Sequence, residues 1–211
     1  MSINKDINSL QGPILIIGAS GFVGANLFKK IKECREDVFG TSFSGAGWRF
    51  EDTSSILHMN MCDINNVNDV FKKVEPKTIF DCSSFGAYSF EDNLDLIHKT
   101  NYLSFIEICE TLEYYDISAY IHAGSSSEYG LNSSSPSEDS LLIPNSQYAI
   151  SKAAASNAIS FYGKIKKFPV ANLRLYSVYG PYEDSSRLIP VLCKKTLENS
   201  LPQFADKEVS R

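Results

Sequence analysis

A short apolar run that passes directly into three spaced glycines constrains this chain more than any other feature. Residues 13–17 have the composition of a buried parallel strand, and Gly18, Gly21 and Gly24 follow before a helical pattern that continues to about Cys34. In such a unit the first glycine permits a tight turn, the second lets backbone approach a pyrophosphate, and the third lets the helix pack on the strand. The helix N-terminus favours anions. The sequence therefore predicts a dinucleotide-binding turn, and the alternative is a packing turn without a ligand.

Strand and helix patterns alternate through the chain to Leu175. The predicted strands are residues 13–17, 37–43, 55–60, 77–82, 118–123 and 170–175. The predicted helices run from just after Gly24 to about residue 34 and over residues 65–74, 93–114, 146–162 and 188–198. No internal repeat or linker interrupts this order. The alternation predicts an α/β fold with a doubly wound, Rossmann-like parallel sheet.

Composition argues against several classes of protein. A net charge of −5 gives no electrostatic basis for binding nucleic acid, and no apolar run approaches the ~20 residues that span a bilayer. Residues 1–11 are polar and do not resemble a secretory signal. The five cysteines include no Cys-x-x-Cys pair, which favours reduced thiols and a cytoplasmic protein. His58, His98 and His122 are isolated in the sequence, so no metal site is predicted.

A tyrosine and a lysine stand four residues apart near the start of the helix predicted over residues 146–162. At this spacing Tyr148 and Lys152 share one helix face, and an ammonium beside a phenol favours the phenolate, the form that acts as a general base. Tyr162 and Lys166 have the same spacing. The spacing alone therefore does not identify the pair that matters.

Two polar residues at strand ends each have two interpretations. Asp63 follows the third strand, where it contacts the adenine end of a cofactor, caps the next helix, or does both. Ser125 follows the fifth strand, where it presents its hydroxyl to a ligand or belongs to an ordinary turn rich in serine and glycine.

The end of the second strand leaves the choice of cofactor open. A dinucleotide site often carries an acid there for the ribose hydroxyls, or an arginine for a 2′-phosphate, and this strand has neither. Thr41, Ser42 and Ser44 suit both NAD and NADP as hydrogen-bond donors, and Arg49 is near enough in sequence to reach a phosphate.

Taken in order, these residues resemble the extended short-chain dehydrogenases, and within them the NAD-dependent epimerase/dehydratase family, which acts on nucleotide sugars. The resemblance covers nearly the whole chain. It rests on the glycine turn, Asp63, Asn101, Ser125, Tyr129-Gly130, Glu138-Asp139, Pro144, Tyr148-x-x-x-Lys152 and Arg174-Leu-Tyr-Ser-Val-Tyr-Gly-Pro181. Residues 124–130, here called the serine loop, include Ser125. In the family's order the tyrosine follows this loop, which selects Tyr148 over Tyr162.

The resemblance implies a role for each of these residues. Tyr148 exchanges the proton of a sugar hydroxyl while hydride moves to or from the nicotinamide, Lys152 holds the nicotinamide ribose, and Ser125 bonds the same sugar oxygen. The residues implied in cofactor binding are Gly18, Ser20, Gly21, Phe22, Val23, Gly24, Asp63, Tyr148 and Lys152, and those implied in substrate binding are Ser126, Ser177 and Arg211. The family also implies a homodimer formed by the helices predicted over residues 93–114 and 146–162.

Departures from the family's pattern narrow the prediction. Dehydratases carry acids directly after the active-site hydroxyl, where this chain has Ser126 and Ser127, and Glu128 comes one place too late. Loss of water is therefore disfavoured. Residues 81–84 read Asp-Cys-Ser-Ser in place of His-Leu-Ala-Ala, and Ser177 replaces an asparagine near the substrate's diphosphate.

Relatives of the implied kind continue for on the order of a hundred residues beyond Arg211, so most of the usual C-terminal substrate domain is expected to be missing. The predicted organisation is a polar N-terminal extension over residues 1–12, an NAD(P)-binding domain over 13–180, and the start of a substrate-binding region over 181–211. The predicted activity is that of a nucleotide-sugar epimerase or 4-keto-sugar reductase. The alternative is a non-catalytic dinucleotide-binding or redox-sensing protein of the same fold.

Overall fold

A computed structural model describes residues 3–45, 47–88 and 90–200, and the chain divides after Tyr176 into two compact units. The first unit contains a six-stranded parallel sheet in the order β3-β2-β1-β4-β5-β6. The strands are β1 (Ile14–Ile17), β2 (Val38–Ser42), β3 (Ile56–His58), β4 (Thr78–Asp81), β5 (Ala119–Ser125) and β6 (Val170–Leu175). This confirms the predicted doubly wound α/β fold. The strand order reverses between β1 and β4, and ligands of such sheets bind outside the strand ends at that point.

Helices connect the strands. They are α1 (Ile3–Ser9), α2 (Phe22–Lys32), α3 (Ile64–Val74), α4 (Leu94–His98), α5 (Ser104–Leu112) and α6 (Gln147–Lys164), and α7 (Leu188–Leu197) lies in the second unit. The single helix predicted over residues 93–114 is instead α4 and α5 joined by a π-helical turn at Lys99–Leu103. Every predicted strand lies within two residues of its observed bounds. None of the described helices is long and apolar enough to cross a membrane.

The central strand β1 explains why helices pack on both faces of the sheet. All four of its residues are buried. Leu15 and Ile17 belong to an apolar cluster with residues of α3, α5 and α6, whereas Ile14 and Ile16 belong to a second cluster with residues of α1 and α2. A strand buried on both faces reads as a continuous apolar run, which is why the sequence identifies it.

The first twelve residues include structure that the sequence analysis does not predict. Residues 3–9 form α1, and its Ile7 is buried in the same cluster as Ile14. Gln11 also accepts a hydrogen bond from the Thr78 hydroxyl of β4 at 2.6 Å, through its backbone carbonyl. This mostly polar segment therefore packs against the sheet.

Candidate active site

The glycine turn joins β1 to α2 and is tightly packed. Gly18 has φ +73°, and a Cβ there would lie 2.9 Å from the backbone of Ser83, just beyond β4. A Cβ on Gly24 would lie 2.3 Å from the carbonyl oxygen of Gly18. The predicted reasons for the first and third glycines, a tight turn and close packing, are therefore confirmed. Gly21 is the N-cap of α2, and ligand binding by the turn stays a prediction.

Two side chains from the end of β2 and beyond reach the glycine turn. The Ser42 hydroxyl donates to the Ser20 hydroxyl at 2.8 Å, and Arg49 Nη1 donates to the Ser20 carbonyl oxygen at 3.1 Å. The Arg49 guanidinium also lies over the Trp48 ring, 4.5 Å from its centroid. The structure thus places Arg49 beside the turn, a position that its distance in the sequence did not determine.

Asp63 caps a helix. It is the N-cap of α3, and its side chain accepts a 3.0 Å hydrogen bond from the backbone N–H of Asn65. The capping interpretation is confirmed. Its carboxylate is nevertheless exposed, so the contact to the adenine end of a cofactor remains a prediction.

Ser125 ends β5 and opens a 3₁₀ turn at Ser126–Tyr129. Its hydroxyl accepts from the Ser127 N–H at 3.1 Å, while its own N–H donates to Glu128 Oε1 at 2.9 Å, forming a capping box. Glu128 is completely buried and accepts a 2.7 Å hydrogen bond from Arg174 Nε. The serine loop is therefore an ordered turn, and its only carboxylate already has a charged partner.

Tyr148 and Lys152 stand one turn apart on α6, which Ser146 caps by accepting from the Ala149 N–H at 3.1 Å. Lys152 is 1% exposed, and its ammonium donates to the Ala123 carbonyl oxygen at 3.0 Å and the Ser83 carbonyl oxygen at 3.5 Å. Tyr148 is partly exposed. Because a Cβ on Gly18 would also meet Ser83, the structure brings Lys152 and the glycine turn to the same loop after β4.

The second Tyr-x-x-x-Lys match is not a pair. The Tyr162 hydroxyl donates to Glu110 at 2.5 Å, and Lys166 lies beyond the end of α6 and pairs with Glu113 at 3.0 Å. Burial and the bond to Glu110 raise the pKa of Tyr162 far above its usual range. This hydroxyl is therefore a structural donor.

Asn101 connects the loop after β4 to α6. It is 1% exposed, bonds the backbone N–H and carbonyl of Phe85 at 2.9 and 2.7 Å, and donates to the Ser151 hydroxyl at 3.0 Å. Asn101 lies in the π-helical turn at Lys99–Leu103, and such turns are frequent at functional sites. Since Ser151 precedes Lys152, this bond helps to fix the helix that carries Lys152.

Two buried residues that the sequence analysis did not connect lie next to Lys152. His122 Nδ1 is 2.9 Å from Asp81 Oδ2, and His122 Nε2 is 3.5 Å from the Lys152 ammonium nitrogen. The Tyr120 hydroxyl donates to the same Asp81 oxygen at 2.9 Å. Buried polar residues are paired as a rule. Asp81 and His122, each a polar residue that follows apolar residues near the end of a predicted strand, are therefore the sequence signal for this network.

The pKa values in this network follow from burial and charge. Burial alone raises the pKa of Asp81, but hydrogen bonds from His122 and Ser83 and the Lys152 charge lower it to about 2. Burial and the Lys152 charge lower the pKa of His122, although Asp81 opposes them. Near neutral pH, Asp81 is therefore a carboxylate and His122 a neutral imidazole.

The three predicted substrate residues lie in different parts of the chain. Ser126 is partly buried in the turn after β5, Ser177 is an exposed residue of the second unit, and Arg211 lies outside the described residues. Their roles remain predictions. Across residues 3–45, 47–88 and 90–200, no group of three or more His, Cys, Asp or Glu side chains is placed to hold a metal ion.

Comparison with known proteins gives a consistent set of matches. A model of the NAD dependent epimerase/dehydratase family matches residues 14–211. Protein CapI of Staphylococcus aureus is 29% identical over 184 residues, which cover 80% of this chain and 55% of that protein. The dTDP-D-glucose 4,6-dehydratase of Dictyostelium discoideum is 25% identical over 221 residues, which cover 93% of this chain and 50% of that protein. The chain thus spans about half the length of these curated relatives.

A solved structure extends the comparison to the fold. UDP-glucuronic acid 4-epimerase from Bacillus cereus, crystallised with NAD, is 25% identical and matches with a TM-score of 0.72. The match covers 89% of this chain and 63% of that one. The proteins similar to this chain therefore include one named for epimerisation and one named for dehydration.

Proposed function

The chain belongs to the NAD-dependent epimerase/dehydratase family, and on that premise we propose that it is an NAD(P)-dependent nucleotide-sugar epimerase or 4-keto-sugar reductase. Its reaction is hydride transfer at a sugar carbon with Tyr148 as the acid/base. The observation that carries this choice over dehydration is the complete burial of Glu128 in an ion pair with Arg174.

The chain's residues fit a dinucleotide at the end of β1. Gly18 and Gly24 have no space for a side chain, and the N-terminus of α2, capped by Gly21 without a side chain, directs backbone amides outward. A pyrophosphate suits such a helix end. When bound, the nicotinamide accepts or returns a hydride. The similar protein crystallised with NAD supports NAD as the cofactor. Arg49 lies beside Ser20, and because an arginine there suits the 2′-phosphate of NADP, the proposal includes NADP as well.

Proton transfer in the proposed reaction depends on Tyr148, Lys152 and Ser125, and each has a different role. Oxidation of an alcohol by hydride transfer requires removal of the hydroxyl proton, and the Tyr148 phenolate takes it. In the reverse direction the phenol returns it. The buried Lys152 ammonium bonds the nicotinamide ribose, and Ser125 bonds the reacting sugar oxygen.

Dehydration requires a group that removes a sugar C–H proton and another that expels water. The two positions after Ser125 are Ser126 and Ser127, which provide no carboxylate. Glu128 accepts hydrogen bonds from the Ser125 N–H and from Arg174, so its two oxygens are already engaged. Freeing it would leave a buried charge without its partner, which is strongly unfavourable.

The proposed substrate is a nucleotide sugar, and the proposed assembly is a homodimer. A relative named for UDP-glucuronic acid supports a nucleoside diphosphate linked to a hexose derivative. For the dimer, the helices α4 to α6 present large apolar side chains to solvent, including Leu103, Ile150 and Phe161. Phe161→Asp is expected to shift the sedimentation velocity profile from dimer to monomer. A profile that is monomeric before the substitution would rule the dimer out.

One experiment separates the three reactions. The chain is incubated with a panel of UDP- and dTDP-hexoses in the presence of NAD or NADP, and with their 4-keto derivatives in the presence of NADH or NADPH as hydride donor, and the products are identified by NMR. We expect inversion at C4 or reduction of a 4-keto group, with no loss of water. A 4-keto-6-deoxy product would contradict the proposal, since it requires dehydration.

A further inference from the structure

A buried chain of three residues connects the candidate catalytic lysine to the interior of the sheet. The Lys152 ammonium lies 3.5 Å from His122 Nε2, and His122 Nδ1 lies 2.9 Å from Asp81 Oδ2. All three side chains are at most 2% exposed. The residues come from α6, β5 and β4, so the tertiary fold alone brings them together.

Hydrogen-bond directions assign the imidazole tautomer. Asp81 accepts from the Tyr120 hydroxyl and from Ser83, and a carboxylate has only acceptors, so His122 Nδ1 must carry a proton toward it. In the neutral imidazole, Nε2 then carries a lone pair. That lone pair faces the Lys152 ammonium, which has only donors. The order is carboxylate, neutral imidazole and ammonium, with no net charge.

Every element packed around His122 is consistent with this tautomer. Asp81 approaches from β4 and Lys152 from α6, and Glu128, in the turn after β5, acts on His122 only through its charge. From α5, the apolar Phe105 ring packs at 5.5 Å between ring centroids. No second base competes for the Lys152 ammonium among these groups, and its other partners are the carbonyl oxygens of Ala123 and Ser83.

The contacts of Lys152 differ in length. The bond to Ala123 is 3.0 Å, whereas those to Ser83 and His122 are each 3.5 Å, at the weak end of the hydrogen-bond range. Ala123 therefore anchors the ammonium, and the 3.5 Å contact to the Ser83 carbonyl oxygen is weak enough to be exchanged for a ligand hydroxyl. Such an exchange leaves the contacts of Lys152 to Ala123 and His122 in place.

We propose that His122, held by Asp81, is a positioning residue for Lys152: its Nε2 accepts a hydrogen bond from the ammonium and sets the direction in which Lys152 presents to a cofactor hydroxyl the proton that the Ser83 carbonyl accepts here. The proposal rests on the proposed function, because it assumes that Lys152 bonds the nicotinamide ribose. It assigns to Asp81 and His122 a part in cofactor binding without contact to the cofactor.

The chain offers a matched control. Tyr120→Phe removes a hydrogen bond of 2.9 Å to the same Asp81 oxygen that His122 bonds, in an equally buried position, and leaves Lys152 untouched. His122→Phe removes the acceptor for Lys152 as well. His122→Gln is the conservative variant, because the glutamine side chain can place its amide oxygen, a hydrogen-bond acceptor, near the position of His122 Nε2. Urea unfolding establishes that each variant folds.

The first measurement is NAD affinity by calorimetry. We expect His122→Phe to weaken binding by about tenfold, His122→Gln to recover part of the loss, and Tyr120→Phe to bind within about threefold of the unaltered chain, since only His122→Phe removes a contact of the Lys152 ammonium. Equal weakening by His122→Phe and Tyr120→Phe would overturn the proposal, because it would show a structural role alone.

The second measurement is NMR of chain labelled with nitrogen-15 histidine, with the His122 signals identified from the His122→Phe spectrum. We expect a protonated Nδ1, a Nε2 signal that moves when NAD is added, and a rise of about one unit or more in the pKa of His122 in Lys152→Met. A pKa of His122 that does not change in Lys152→Met would overturn the pairing of His122 with Lys152. Absence of NAD and NADP binding by the unaltered chain would instead overturn the proposed function, and the Lys152→Met response would still decide the pairing.

Discussion

Glu128 in the serine loop and Arg174 on β6 form an ion pair, with 2.7 Å between Oε2 and Nε, in which the Glu128 side chain is fully buried. Asn172 also donates to both oxygens of Glu128, at 3.3 and 3.2 Å, and Arg174 Nη1 donates to the Tyr129 hydroxyl at 3.0 Å. The pair therefore fixes the turn that presents Ser125.

Removing the charge of Glu128 should destabilise the fold. Glu128→Gln removes the counter-charge of the partly buried Arg174 guanidinium, so we expect the free energy of unfolding to fall by about 2 kcal/mol in urea titrations. Glu33→Gln is the control, because Glu33 pairs with Lys30 on the solvent-exposed surface, where an ion pair contributes little, so its loss should have a much smaller effect. A loss for Glu128→Gln as small as that of the control would contradict the structural role.

Two helical glycines should respond in opposite ways to alanine. Gly24→Ala places a Cβ 2.3 Å from the Gly18 carbonyl oxygen, so we expect a loss of about 1–3 kcal/mol together with loss of NAD binding. Gly163→Ala in α6 meets nothing closer than 3.6 Å and should stabilise by about 0.5–1 kcal/mol. Urea unfolding and calorimetry measure both effects. Unaltered NAD affinity in a folded Gly24→Ala would contradict the dinucleotide-binding turn.

Stability should fall with acid in two stages. Below about pH 6.5 the unfolded chain binds a proton at residue 122 more readily than the folded chain, because burial and Lys152 lower the pKa of His122. Below about pH 4 the stabilisation from Asp81, about 2 kcal/mol, is lost as the pH approaches its folded pKa of about 2.

The first stage, the loss of stability below about pH 6.5, is expected to come from His122 alone. Urea unfolding at pH 7, 6 and 5 should show that the free energy of unfolding declines as the pH falls. The decline should be smaller in His122→Phe and unchanged in Tyr120→Phe. A decline of the same size in His122→Phe would assign the effect to other groups.

Arg49 should influence the choice between NAD and NADP. Its guanidinium lies beside the glycine turn and bonds the Ser20 carbonyl, and an arginine near this position accommodates a 2′-phosphate. Arg49→Ala is expected to weaken NADP binding by about tenfold and NAD binding by much less. Lys30→Ala removes a charge from the exposed face of α2 and should affect neither. An equal loss of affinity for NAD and NADP in Arg49→Ala would contradict a role of Arg49 in the choice between the two cofactors.

The fold follows from the sequence because its signals are local. Strand β1 is buried on both faces and so reads as a continuous apolar run, and Gly18 and Gly24 stand where side chains do not fit. The π-helical turn at Lys99–Leu103 was not predicted, because its residues keep a helical pattern. Helix α1 was missed because it buries a single apolar residue, Ile7.

The candidate site was predictable only in part. Tyr148 and Lys152 are neighbours along one helix, so their proximity follows from spacing. Asp81 and His122 are 41 positions apart and meet only because β4 and β5 are adjacent and in register. Likewise, Glu128 looks in the sequence like a displaced catalytic acid, and its partner Arg174 lies 46 positions away. Long-range pairings of this kind carry no local signal.

The most direct test of Tyr148 as the acid/base is the formation of reduced nicotinamide in a single turnover, followed by absorbance after mixing the NAD-bound chain with millimolar nucleotide sugar. We expect Tyr148→Phe to slow this step by about 10²-fold or more while still binding NAD, because the hydroxyl proton then has no acceptor. Tyr162→Phe, which alters the other Tyr-x-x-x-Lys match, should react at nearly the rate of the unaltered chain. Reduction of the nicotinamide at an undiminished rate by Tyr148→Phe would contradict the account.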